Sequence, residues 1–217
     1  MMKMLLCVSL FSLFCSVYTL QCKSCTNGFG QCPNTFTTTC GTGEICSSER
    51  FNVGSSGGGK ALVARGCFSS NTCNSLNATG SSITLAADLV TSSLFLYLTC
   101  CNSDNCNNNQ IPEPDNTANG LKCFACNSDT DTVCNTTVSC VGSENRCSNG
   151  TLVGIPGIPL FGNINAKGCL SKNLCDIGST FGNVTCCTGN LCNGSEAWHR
   201  LDLSILLVIL TATMLLQ

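Results

Sequence analysis

Two cysteine pairs, Cys22/Cys25 and Cys123/Cys126, have the C-x2-C spacing that binds zinc or cycles between thiol and disulfide in a reducing cell. They do not stand alone. The chain carries 22 cysteines in 217 residues; Cys7 and Cys15 lie in an apolar N-terminal stretch and the other 20 fall between Cys22 and Cys192. An even set at that density indicates a disulfide framework made in an oxidising compartment, so both C-x2-C pairs read as structural. The only histidine, His199, falls in a C-terminal segment expected to be removed, which takes away the usual general base. No G-x-S-x-G, H-E-x-x-H or phosphate-binding loop occurs. Asp129 and Asp131 share a loop but lack the further oxygen ligands that calcium needs. No enzyme activity, cofactor or metal is therefore expected. A formal charge of −2 without a basic cluster excludes nucleic acid as partner.

The elements that hold these cysteines repeat. Cys22, Cys25, Cys32, Cys40, Cys46, Cys67, Cys73, Cys100, Cys101 and Cys106 align with Cys123, Cys126, Cys134, Cys140, Cys147, Cys169, Cys175, Cys186, Cys187 and Cys192. Each series begins C-x2-C and ends C-C-x4-C-N, so the domain is duplicated. The main difference is the Cys73–Cys100 gap, which is much longer than Cys175–Cys186. Domains this small have thin cores, and each native bridge typically contributes ~2–5 kcal/mol. Short strands are expected. Residues 44–53 and 61–67 flank a glycine-rich tip at 54–59, as in a hairpin. Residues 94–100 form a strand candidate whose apolar run (Leu94, Phe95, Leu96, Tyr97, Leu98) needs a partner on one face. Residues 82–90 read as a short helical turn. In the second repeat, 146–154 and 163–169 flank a tip at 155–161.

This cysteine order, in two copies, resembles the lymphocyte antigen 6/urokinase receptor superfamily. The resemblance implies a small disulfide-rich all-β fold of two tandem three-finger (snake-toxin-like) domains, each with strand-built loops radiating from a knot of bridges. It also implies the pairing Cys22–Cys46, Cys25–Cys32, Cys40–Cys67, Cys73–Cys100 and Cys101–Cys106. In the second repeat the implied pairs are Cys123–Cys147, Cys126–Cys134, Cys140–Cys169, Cys175–Cys186 and Cys187–Cys192. Asn107 and Asn193 match the asparagine that closes the knot in that family.

The ends add addresses. Lys3 precedes an apolar run that has the length of a signal-peptide core, and the run 203–216 follows a polar spacer and small residues. The mean hydropathy of +0.25 is raised by these two stretches. The expected organisation is a signal peptide at 1–20, a first domain at 21–107, a linker at 108–121 and a second domain at 122–193. A glycosylphosphatidylinositol (GPI) attachment propeptide at 194–217 follows, with Asn193, Gly194 or Ser195 as the anchor residue. N-x-S/T sequons stand at Asn77, Asn135, Asn149, Asn183 and Asn193, the first four being the expected glycan sites. Ile155, Ile158, Leu160 and Phe161, stiffened by Pro156 and Pro159, form the candidate binding tip; such a tip either projects into water or folds onto the neighbouring domain. The expected function is binding of an extracellular or cell-surface protein ligand by a GPI-anchored chain at the plasma membrane. The alternative is a secreted phospholipase A2 inhibitor-like binding protein.

Overall fold

The computed structural model describes residues 19–27, 32, 35–55, 58–128, 130–131, 133–153 and 164–194. The first repeat is built from β1 (Gln21–Asn27), β2 (Phe36–Thr39), β3 (Glu44–Ser55), β4 (Gly58–Ser69), α1 (Ser70–Ser75), β5 (Ser82–Asp88) and β6 (Ser93–Cys101). The second contains β7 (Ala118–Ala125), β8 (Thr136–Val141), β9 (Arg146–Leu152), β10 (Ile164–Asn165), β11 (Gly168–Leu170), α2 (Lys172–Phe181) and β12 (Asn183–Cys187). Consecutive strands pair antiparallel as fingers: β1 with β2, β3 with β4, β5 with β6, β7 with β8, and β9 with β10 and β11.

Three expectations change. Residues 82–90 do not form a helical turn: Ser82–Asp88 is the strand β5. Alanine and leucine in this stretch favour helix locally, but the segment gains ladder partners on both edges, β6 on one and β11 on the other. The β3–β4 pairing also does not stop at the glycine tip and continues through Gly54↔Gly59 and Ser55↔Gly58. Strand β7 begins at Ala118, inside the stretch read as linker, with a register shift between Ala118 and Lys122.

One sheet runs through both repeats in the order β10-β9-β11-β5-β6-β3-β4-β1-β2, with β12 also pairing with β9. The junction is β5 against β11, where Cys169 faces Asp88 and Leu170 faces Ala87. In the first repeat β1 extends the sheet beyond β4. In the second, β5 takes the corresponding outer edge of β11, and β7 pairs with β8 alone in a separate two-stranded sheet.

The apolar core follows the same plan. Leu85, Leu96 and Leu98 of the first repeat and Leu152, Leu170, Leu174 and Val184 of the second belong to one buried cluster. The apolar run in β6 thus finds its partner: Leu96 and Leu98 face this shared core, while Phe95 and Tyr97 lie half-buried on the opposite face. The helix α2 fills the shorter third finger of the second repeat. Ser171 caps it, its Oγ accepting from Leu174 N–H at 3.4 Å, and Leu174, Cys175 and Gly178 form its buried stripe. Gly178 permits the close packing, because a Cβ there would meet Leu152 Cδ2 at 3.0 Å.

Candidate protein-binding surface

The cysteines fix the frame on which any surface is displayed. In the first repeat the bridges are Cys22–Cys46, Cys25–Cys32, Cys40–Cys67, Cys73–Cys100 and Cys101–Cys106. In the second they are Cys123–Cys147, Cys126–Cys134, Cys140–Cys169, Cys175–Cys186 and Cys187–Cys192. Sulfurs of Cys22, Cys40 and Cys46, and of Cys123, Cys140 and Cys169, cluster closely enough to resemble metal ligands. Every one is consumed in a bridge, so no thiolate is left for a metal.

Each knot is closed by a buried asparagine. Asn107 Oδ1 accepts from Lys23 N–H at 2.9 Å, and its Nδ2 donates to the carbonyls of Lys23 (2.8 Å) and Ser47 (2.7 Å). Asn193 repeats the arrangement, accepting from Phe124 N–H at 2.9 Å and donating to Phe124 O and Ser148 O, both at 2.8 Å. With its amide so engaged and the residue 4% exposed, Asn193 has no room for a glycan in the folded protein. Of the other sequon residues, Asn77, Asn135, Asn149 and Asn183 are all exposed. Asn149 and Asn183 lie on neighbouring strands and share one face, since Asn149 stands opposite Thr185 and Asn183 opposite Thr151. Gly194 is described and packs on Phe124; Ser195, His199 and the C-terminal apolar run lie outside the described residues. So do Asp129 and the whole candidate tip, Ile155, Ile158, Leu160 and Phe161. Asp131 serves its own loop: it accepts from the N–H groups of Asn127, Val133 and Cys134, which holds its carboxyl below the usual carboxylate range.

Spacing did not reveal how much the connecting chain does. Arg65 donates to the carbonyls of Asn107 and Asn109, and buried Arg50 pairs with Glu113 at 3.6 Å. Ile111 is buried. The segment is therefore strapped across one face of the sheet. Where it leaves, a cleft of about 660 Å³ opens between finger three, residues 112–116 and the 141–144 turn, with Asp88, Phe95, Glu113 and Glu144 among its walls. Glu144 is buried at this joint. Its Oε2 accepts from Val141 N–H at 3.0 Å, but burial, with Asp88 across the joint, pushes its pKa up to about 7. Among the described residues, no helix is long and apolar enough to cross a membrane.

The large apolar side chains left exposed among the described residues are Phe36, Leu62, Val133 and Val153. Phe36 and Leu62 lie on the first repeat's finger-one and finger-two strands, β2 and β4.

Two knots, antiparallel fingers and a closing asparagine in each define a class: a disulfide-stapled protein of two three-finger domains that displays surfaces from a rigid base. Residues 18–109 match the u-PAR/Ly-6 domain model and residues 121–193 match the snake toxin and toxin-like protein model. The first repeat is thus similar to the u-PAR/Ly-6 domain of the lymphocyte antigen 6/urokinase receptor superfamily, and the second to toxin-like proteins of the three-finger kind. It is 31% identical over 113 residues to the urokinase plasminogen activator surface receptor of Bos taurus, covering 46% of this chain and 33% of that one. It is 37% identical over 118 residues to a phospholipase A2 inhibitor of the gamma type from Elaphe quadrivirgata, covering 50% and 55%. The chain thus spans between a third and just over half the length of these relatives. The crystal structure of mouse TEX101 is similar at a TM-score of 0.34 and 16% identity, covering 79% of this chain and 99% of that one.

Proposed function

We propose that the protein is a GPI-anchored cell-surface protein that binds an extracellular or cell-surface protein partner through its three-finger domains, without catalysis. The observation that carries this reading is the three-finger fold together with relatives named as a surface receptor and as an inhibitor. The proposed mature chain starts near Gln21 and ends within Asn193–Ser195. Because the Asn193 amide closes the second knot and Gly194 packs on Phe124, attachment at Ser195 leaves that knot least disturbed. Glycans are proposed on Asn77, Asn135, Asn149 and Asn183. Their exposure supports the assignment.

Phosphatidylinositol-specific phospholipase C applied to cells expressing the full chain tests the anchor. Loss of surface signal with recovery of protein in the medium is the expected outcome; surface protein that resists the enzyme would count against it. The candidate contact Ile155, Ile158, Leu160 and Phe161 is tested by Leu160→Ser with Phe161→Ser. Weaker partner binding with unchanged folding is expected.

A second reading, a secreted phospholipase A2 inhibitor-like protein, draws on the 42% identity over 80 residues to the corresponding gamma-type inhibitor of Elaphe climacophora. It requires protein in the medium without lipase and inhibition of a phospholipase A2 by the purified chain.

A further inference from the structure

The sheet face of the first two fingers has a definite composition. The strand register sets its rows. Ser24 stands opposite Phe36. Gly66 stands opposite Ser47, Ala64 opposite Glu49, and Leu62 opposite Phe51. A Cβ added to Gly66 would find only Ser24 Oγ, at 3.9 Å, so these rows share one side of the sheet and leave a hollow at Gly66. By the same register, exposed Phe36 (65%) stands beyond Ser24 and exposed Leu62 (42%) lies further along β4 from Gly66, with the small residues Ser24, Gly66 and Ala64 between them.

Glu49 stands in the middle. It projects from β3 between Ala64 and Leu98, its cross-strand neighbours, and is half-buried. Among the described residues its carboxylate makes no hydrogen bond and no ion pair. A carboxylate stripped of part of its water and given no donor is unfavourable, and its pKa is pushed up by burial alone. Arg65, the cation nearest in sequence on β4, is spent on the connecting chain from the opposite face. All the sequons stand at Asn77 or beyond, so none falls on the strands of fingers one and two of the first repeat.

We propose that this face is a docking surface for a protein partner that lays apolar side chains against exposed Phe36 and Leu62 and donates to Glu49 from a lysine or arginine. Charge complementarity selects that occupant: an apolar face alone would accept any greasy side chain, but an unpaired carboxylate within it rejects a neutral or acidic neighbour. The small residues let a partner approach closely, and the finger-one and finger-two bridges hold the strands in place before contact. The inference rests on the protein-binding reading above and gives that reading a surface and a partner chemistry.

The test pans a random heptapeptide phage library on cells displaying the full chain, with counter-selection on cells displaying Glu49→Gln. Enriched peptides are synthesised and titrated against wild type, Glu49→Gln, Gly66→Gln and, as a distant control, Lys172→Ala. The expected consensus carries Lys or Arg beside an apolar residue. Binding is expected to fall about tenfold or more in Glu49→Gln and in Gly66→Gln, and to be unchanged in Lys172→Ala. Thermal melts check the variants; Glu49→Gln removes a desolvated charge and should melt no lower than wild type. Peptides without a cation, peptides indifferent to both substitutions, or no enrichment at all would each overturn the surface. None of these outcomes touches the anchored-receptor reading, which stands or falls on lipase release and on binding to a natural partner.

Discussion

At the scale of single residues, two kinds of buried polar group do opposite work. Asn107 and Asn193 are satisfied three times over by backbone on two different strands. Replacing either by Ala leaves a buried N–H and two carbonyls unpaired, so a loss of about 2–4 kcal/mol is expected, read as a lower urea midpoint. Glu144 is the reverse case. Its folded pKa of about 7 lies above the ordinary 4.5, so the folded state takes up a proton that the unfolded state does not between those values. Stability therefore rises as pH falls from 7 to 4.5, by roughly 1–3 kcal/mol, and that gain is lost again as pH climbs through 7. The Glu144→Gln variant should flatten this slope in pH-resolved thermal melts; an unchanged slope would move its origin to another group. Asp131 works in the other direction, its stabilising charge being lost as pH falls below 3.8.

At the scale of elements, the β5–β11 junction decides how the repeats are joined. Ser171 Oγ both caps α2 and accepts from Ala86 N–H at 3.0 Å, while Ser171 N–H donates to Ala86 O at 2.8 Å. The Ser171→Ala variant strands a buried N–H of the other repeat and removes a helix cap, so about 1–3 kcal/mol should be lost. Hydrogen exchange should speed up in both β5 and α2; faster exchange confined to α2 would deny the junction. The cysteine periodicity made the fingers legible, because bridges at set intervals force chain reversals between them. It could not show β5, since the Leu85–Ala87 stretch favours helix until β6 and β11 claim its edges. Nor did it show α2, although the short Cys175–Cys186 gap leaves no room for the two strands that finger three of the first repeat contains. The Glu49 face was equally hidden, because Phe36, Leu62 and Glu49 belong to three strands and come to one side of the sheet only through register. Val90 shows what the junction demands locally: a β-branched residue at φ 67°, strained by itself, packs onto the second repeat's knot cluster.

At the scale of the whole molecule, the two repeats share one sheet and one core. Their largest core cluster draws Leu85, Leu96 and Leu98 from one repeat and Leu152, Leu170 and Leu174 from the other. A fragment starting at Ala118 therefore exposes apolar surface and one edge of β11. It should bind a hydrophobic dye and associate, whereas the joined repeats should unfold in a single calorimetric transition. Two separated transitions would show that the junction contributes little. The same strand has a consequence for descent. A tandem duplication begins with interchangeable copies, free to be lost, reordered or multiplied singly. With finger three of the first repeat supplying the strand that flanks the second, a copy inherited alone or in the opposite order would lack that neighbour.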